Sequence, residues 1–446
     1  MEKLYFEFLQ IAIGNRKSLS AAIHDSDWLR LFEFCKKQAL IGVGFSAVEK
    51  LHTLGEECPA NHRMKWMALA LQIEEKNDLL NKQCKKLTEQ YRHDELSTCI
   101  LKGQGICLNY PEELKMRRQC GDIDIWGTTK NGRQHGQHET TFCPQAYGDE
   151  WSGISRNGRQ LSKNNSGSQA DNGIAIAVQT GRNEVEYVEY HGRKAVIEYV
   201  RMQHRLAGNN EKPVIRYHHI EAPKMEGTEV EVHFRVGFVN SPLRNWRMQR
   251  WFDNHTDVCM KNKTHMGFAV PTSSVNVVYQ MCHLFSHYFD EGLGLRQLMD
   301  YYFALRVWHN DVMECKDLQS QGMWSEGMGT PVMSAPEVMG VLRSFGMGKF
   351  AAAVMYVLHE VFEMPTPYYI CEPNEKEGRK LLAEIMQGGN FGQYDTRDAA
   401  LKKGGMMKHG VWKLKRVMRL VSSYPEEALW EPVFRVYHLF WRILHK

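Results

Sequence analysis

Two short runs decide the fold: Cys99-Ile-Leu-Lys-Gly-Gln-Gly105 and Gly121-Asp-Ile-Asp-Ile-Trp126. Cys99 to Leu101 is an apolar strand that stops at Lys102-Gly103. A helical turn and a Tyr110-Pro111 breaker follow, and Arg117-Arg118 lead into a second strand. Side chains alternate faces along a strand. Asp122 and Asp124 therefore project together, while Ile123 and Ile125 turn to the opposite face. Two carboxylates that close repel each other unless a cation lies between them, and Mg²⁺ takes one or two carboxylates together with phosphate oxygens and water. A solvated turn or a helix cap also accounts for an isolated Asp-x-Asp. The Lys-Gly at a neighbouring strand end and the Arg just before the pair favour an ion site.

The set Leu101-Lys102-Gly103, Tyr110-Pro111, Arg118 and Gly121-Asp122-Ile123-Asp124 resembles the polymerase-β-type nucleotidyltransferase superfamily. Within it, the chain is most similar to a broad, largely uncharacterised bacterial group of nucleotidyltransferase family proteins. Members of that group carry Lys-Gly where better-known relatives have Gly-Ser. The resemblance implies an α+β fold: a small mixed sheet carrying the site, with helical regions on both sides in sequence. The expected division is an N-terminal helical region over 1–94, a nucleotidyltransferase core over 95–240 and a C-terminal helical domain over 241–446. It further implies a third carboxylate on the strand beside the Asp-x-Asp strand. Glu231, in Val230-Glu-Val-His233, matches that position. The implied activity is NMP transfer from an NTP to an acceptor hydroxyl with two Mg²⁺ ions, or Mn²⁺ in their place. Asp122, Asp124 and Glu231 would be catalytic metal ligands. Lys102, Gly103 and Arg118 would bind the nucleotide, with Arg118 either touching phosphate or orienting Asp122. The acceptor is open among a small molecule, a sugar phosphate and a protein. Two alternatives stand beside this reading: a toxin-type enzyme acting on RNA, and a non-catalytic nucleotide-binding scaffold.

The bulk composition agrees with a globular chain. At 446 residues, with 43% hydrophobic and 24% charged residues, it has ample core for two or three domains. A net charge of +4 is too small to argue for nucleic acid. Eleven cysteines without a CxxC pair suggest free thiols in a reducing cytoplasm. Neither a signal peptide nor a run of about 18 apolar residues, the minimum for a spanning helix, is expected.

Outward from the two runs, residues 62–93 carry Trp66, Leu69, Ile73, Leu80, Cys84 and Leu87 at helical spacing. Residues 128–173 are poor in aliphatics, repeat Asn-Gly-Arg-Gln, and read as an insert beside the site. Alternation over 174–190 predicts a hairpin, and 193–205 a helix with Ala195, Val196, Tyr199 and Val200 inward. Val214–Ile220 and Thr228–Arg235 predict two antiparallel strands joined by a polar turn over 224–227. In the second, Glu229, Glu231 and His233 share a face.

Beyond 241 the chain turns helical. Val275–Phe289 carries His283 and His287 on one face, which fits histidines lining the cleft better than zinc, because the HExxH glutamate is absent. Arg296 and Asp300 are spaced for an intrahelical ion pair, with a phosphate contact by Arg296 as the alternative. Residues 311–336 read as a loop, 338–362 as a helix, and Gly388–Gly392 as a turn with a buried aromatic. The last 46 residues hold ten Lys or Arg against three Glu. This basic amphipathic segment is either a terminal helix with a solvated face or a contact for RNA or an anionic membrane surface.

Overall fold

The computed structural model describes residues 2–129, 173–179, 185–208, 212–321, 332–397, 401 and 405–444. The insert expected over 128–173 lies almost wholly outside the described residues. Four helices come first: α1 (Glu2–Ala12), α2 (Asp25–Lys37), α3 (Ile41–Thr53) and the long α4 (Ala60–His93). The core unit then runs β1 (Leu96–Ile100), α5 (Gln104–Cys107), α6 (Glu112–Lys115) and β2 (Ile123–Thr129). The ribbon β3 (Ile174–Gln179) and β4 (Val185–Tyr190) leads to α7 (Gly192–Leu206), then to β5 (His219–Met225) and β6 (Thr228–His233). After these come α8 (Pro242–Asn254), α9 (Thr256–Lys261), α10 (Ser273–Asp290), α11 (Leu295–Ser320), α12 (Ala335–Ser344), α13 (Gly348–Phe362) and α14 (Glu375–Gly388). Helices Met406–Leu420 and Pro425–Leu444 follow.

The architecture is the expected α+β one. The main sheet has strand order β1-β2-β6-β5. β1 and β2 are antiparallel, β2 and β6 parallel, β6 and β5 antiparallel. Alternation sorts the two faces. Ile100, Ile123, Ile125, Ile220, Val230 and Val232 pack against Leu80, Cys84 and Leu87 of α4 and Val196, Tyr199 and Val200 of α7. Each such fully buried side chain contributes roughly 1.5–3 kcal/mol. The opposite face receives Asp124, Trp126, Glu231, His233 and His219, and faces the long helices α10 and α11.

Helices from both ends of the chain share one core on that second side. Phe8 and Leu9 of α1 join Val357 and Val361 of α13, with Phe285 of α10 and Leu298 of α11. Side chains tie the ends together as well. Gln10 Nε2 donates to the Val361 carbonyl at 3.0 Å, and Gln38 Nε2 to the Ile385 carbonyl at 3.3 Å.

Five local expectations differ from the structure. The strand predicted from Val214 begins at His219, with Ile215 making only an isolated bridge to Ile220. The turn is confined to Glu226-Gly227, so Lys224 belongs to the strand. The loop predicted from residue 311 is helical as far as Ser320; its residues are good helix formers, and glycine enters only at Gly322. The helix predicted over 338–362 is two helices. Gly346, at φ +82°, ends the first, and its N–H bonds to the Arg343 carbonyl at 2.9 Å. Finally, the basic C-terminal helix spends part of its charge internally. Arg416 is buried, and its Nε and Nη2 donate to the Phe289 and Tyr288 carbonyls at 3.0 and 2.6 Å, capping the end of α10. Among the described residues, no helix is long and apolar enough to cross a membrane.

Candidate active site

A cleft of about 620 Å³ opens on the polar face of the sheet. The β1–α5 connection, the loop before β2, the faces of α10 and α11, and the segment around Phe391 close it. Its floor follows from strand register. β2 and β6 run parallel with Asp124 opposite Glu231 and Trp126 opposite His233. β5 then sets His219 opposite His233.

Asp124 is the centre of charge. Its Oδ1 accepts from Lys102 Nζ at 2.6 Å and lies 2.9 Å from His233 Nε2. Burial works against the Asp124 carboxylate, yet Lys102 and His233 hold it well below the usual carboxylate range. Lys102 is shifted the other way. Burial opposes its charge, but Asp124, Asp122 and Glu231 together raise it. Glu231 Oε2 lies 3.3 Å from His219 Nδ1 and 3.7 Å from His233 Nε2. Burial disfavours the Glu231 carboxylate, and His233 and His219 together more than offset it, so its pKa is lowered. Asp122 sits at the entrance to β2 and lines the same cleft. The neighbouring Asp124 charge, and then burial, push its carboxyl above the usual range.

The structure therefore brings Asp124 and Glu231 together and adds His233. Ligand atoms of these three all lie within 4.8 Å of one another, and Asp122 falls outside that group. Lys102 and Gly103 stand at the end of β1 over the same floor. Gly103 has φ +58°, and a Cβ there would lie 3.2 Å from the Asp122 carbonyl oxygen. The glycine is thus required by the contact between the two loops that carry the candidate residues. The helix after it, α5, is a single turn, so its positive end is weak.

Arg118 takes the partner expected of Arg296. Arg118 is buried and grips Asp300 with both prongs, Nε to Oδ1 at 2.6 Å and Nη2 to Oδ2 at 2.7 Å. Tyr110 OH adds a bond to Asp300 Oδ1 at 2.7 Å. The intrahelical pair of Arg296 with Asp300 is therefore not formed, because Arg118 and Tyr110 occupy the carboxylate. Neither does Arg118 reach Asp122. It pins the loop before Asp122 to α11. Arg296 instead donates Nη1 to the Gln119 carbonyl at 2.6 Å, stacks over Phe391 at 5.4 Å and lines the cleft. Among the described residues it has no ion-pair partner, and its Nε is unsatisfied.

The opposite wall is aromatic. Tyr279, His283, His287 and Phe391 line it, with ring centroids of His283 and His287 4.2 Å apart and of His287 and Phe391 4.9 Å apart. Burial holds His283 well below its usual range and His287 down at about 4, so both are neutral near pH 7. Among the described residues neither joins a group of three metal-capable side chains. The histidines line the cleft, as the sequence reading favoured over zinc. Sequence reasoning missed His218, His219 and Phe391. Phe391 could have been suspected from its Gly-rich setting, whereas His219 enters the site only through the β5–β6 register.

A family model described as an uncharacterised nucleotidyltransferase matches residues 24–134 and 188–322, more than half of the chain. The chain belongs to that family. No curated protein and no solved structure matches it. The matched spans of this nucleotidyltransferase-family chain contain Lys102, Gly103, Arg118, Asp122, Asp124, Glu231, His233 and Arg296. They leave out the segment carrying Phe391.

Proposed function

We propose that the cleft transfers an NMP group from an NTP to an acceptor hydroxyl with the help of divalent cations. One observation carries the reading: parallel strand register sets Asp124 beside Glu231 on the cleft floor, with Lys102 over Asp124. The donor set fits a divalent ion. Asp122 and Asp124 repel each other enough to raise the Asp122 carboxyl, and a cation between them would remove that cost. Asp122, Asp124 and Glu231 would hold Mg²⁺. When bound, the ion neutralises charge on the reacting phosphate and lowers the pKa of the attacking hydroxyl.

The remaining work falls to the chain itself. Lys102 offers an ammonium to the triphosphate, and Gly103 lets backbone approach it closely. Arg296 supplies a second cation from α11, at the side of the cleft where Asp122 lies. Glu231, half-buried and held ionised, is placed to accept the hydroxyl proton. The neutral wall of Tyr279, His283, His287 and Phe391 suits a planar base or a ring-bearing acceptor. The cleft volume falls in the range of about 300–1,000 Å³ typical of small-ligand sites.

A second reading has one observation in its favour. Lys102 and His233 already neutralise Asp124, which a nucleotide-binding scaffold without catalysis would also accommodate. The test is incubation of the chain with each of the four NTPs, labelled at the α-phosphate, with Mg²⁺ or Mn²⁺ and a lysate as acceptor source. The Asp122→Asn/Asp124→Asn variant runs alongside. Label transferred by the wild type alone supports nucleotidyl transfer. Divalent-dependent NTP binding without transfer supports the scaffold.

A further inference from the structure

Mg²⁺ takes oxygen donors, whereas imidazole nitrogen is a ready ligand for divalent transition ions. The cleft floor offers both kinds of donor at ligand spacing. His233 Nε2 is 2.9 Å from Asp124 Oδ1 and 3.7 Å from Glu231 Oε2. Ligand bonds of about 2.1 Å put neighbouring donors about 3.0 Å apart around an octahedral ion and about 3.4 Å apart around a tetrahedral one. The two His233 separations straddle those values, and all three donor atoms lie within 4.8 Å of one another, which puts them within reach of a single ion.

A second imidazole backs the first. His219 Nδ1 lies 3.3 Å from Glu231 Oε2 and 3.0 Å from His218 Nε2. His218, His219 and His233 form another group whose donors lie within 4.8 Å of one another. These rings are poorly satisfied by the protein. His219 and His233 are only 4% and 2% exposed, yet among the described residues His219 Nε2, His233 Nδ1 and His218 Nδ1 are buried without a hydrogen-bond partner. Three unpaired buried ring nitrogens beside two carboxylates are costly as a purely structural arrangement.

We propose that His233 is a direct ligand of the ion held by Asp124 and Glu231, and that the centre therefore selects a nitrogen-accepting divalent transition ion over Mg²⁺. This rests on the nucleotidyl-transfer reading only for where the ion sits. His219 lies one strand further out and supports the ring set without being required as a ligand.

Mn²⁺ is the probe. It is paramagnetic, and it is the weakest binder of the first-row order, so its preference over Mg²⁺ is a lower bound for the class. The full chain is titrated with Mn²⁺ while the electron paramagnetic resonance signal of the free aqua ion is followed, and Mg²⁺ is then added in competition. Spin-echo spectra of the bound ion are recorded for nitrogen modulation. The expected results are binding at least about tenfold tighter for Mn²⁺ than for Mg²⁺ and imidazole nitrogen modulation in the wild type. Asp124→Asn should abolish binding. His233→Gln should lose the modulation and bring the preference towards unity, while His219→Gln keeps the modulation. If His233→Gln does not fold, the wild-type echo spectrum, with Asp124→Asn as its control, still decides. Bound Mn²⁺ without nitrogen modulation, an unchanged preference in His233→Gln, or no binding at millimolar Mn²⁺ would each overturn the proposal. None of these readouts uses turnover. Label transfer by a chain whose bound Mn²⁺ shows no nitrogen coupling would remove the histidine ligand and leave nucleotidyl transfer standing. Nitrogen-coupled Mn²⁺ without transfer would do the reverse.

Discussion

Replacing Asp300 by Asn strikes the joint that holds the Asp122 loop to the helical body. Asp300 accepts from Arg118 at 2.6 and 2.7 Å and from Tyr110 at 2.7 Å. Arg118 and Asp300 are only 5% and 3% exposed. Asn keeps the shape but removes the counter-charge, and among the described residues the buried guanidinium keeps Cys120 Sγ, at 2.8 Å, as its further side-chain partner. Breaking a buried pair from one side costs about 3–5 kcal/mol. Against a total stability of roughly 5–15 kcal/mol, that is a large share. With a urea dependence of about 3 kcal/mol per M, the midpoint should fall by about 1 M or more. The double variant Arg118→Met/Asp300→Leu removes both charges and should recover most of the loss, giving a coupling of about 2–3 kcal/mol. Because the pair is shielded from solvent, the coupling should change little with added salt. A loss below about 1 kcal/mol in Asp300→Asn, or single-variant losses that simply add in the double variant, would refute the account of this joint.

Three further outcomes are expected. Lys102→Met removes the ammonium that competes for Asp124 Oδ1; divalent-ion affinity should rise several-fold while NTP affinity falls, read by Mn²⁺ titration and calorimetry, and a parallel fall in both would contradict the assigned role. Gly103→Ala places a Cβ at φ +58° and 3.2 Å from the Asp122 carbonyl; it should cost about 1–2 kcal/mol in stability and weaken NTP binding, and unchanged binding would show that the two loops are independent. Glu427 accepts the Asn240 N–H, among the described residues its Oε2 finds no hydrogen-bond partner, and burial pushes its carboxyl up to about 7. In the unfolded chain that carboxyl titrates near its ordinary value, so the folded state holds a proton the unfolded state has lost. This contribution is full below about pH 4.5 and is lost as pH rises through about 7, amounting to about 3 kcal/mol. Glu427→Gln should be the more stable form at pH 8 and lose that slope, and a wild-type advantage at pH 8 in urea unfolding would contradict the assignment.

The parts of the site that depend on the pleat alone were legible in the sequence. Asp122 and Asp124 against Ile123 and Ile125 need only a two-residue period, and both carboxylates line the cleft. Glu231 and His233 share a face for the same reason. What local pattern does not contain is register between strands. A four-residue turn over 224–227 would set His218 opposite His233; the turn tightens to Glu226-Gly227, and a register irregularity between Ala222 and Met225 then brings His219 there. The Arg118–Asp300 pair spans 182 residues of sequence. The helical spacing rule found Arg296 for Asp300 because it sees only neighbours along one helix. The split between α12 and α13 was missed because apolar periodicity continues through Phe345, and the break rests on one backbone dihedral at Gly346. The aromatic wall was half visible: His283 and His287 announced a face of α10, whereas Phe391 reaches it only through packing of a distant turn.

Which phosphate of the NTP ends up on the acceptor tests the central claim most directly. The wild-type chain, with Mn²⁺ and with Mg²⁺, is given an NTP labelled at the α-phosphate in one reaction and at the γ-phosphate in another. The account predicts α-label on the acceptor, γ-label released as pyrophosphate, and neither event in Asp124→Asn. γ-Label on the acceptor, or release of inorganic phosphate in place of pyrophosphate, would contradict it.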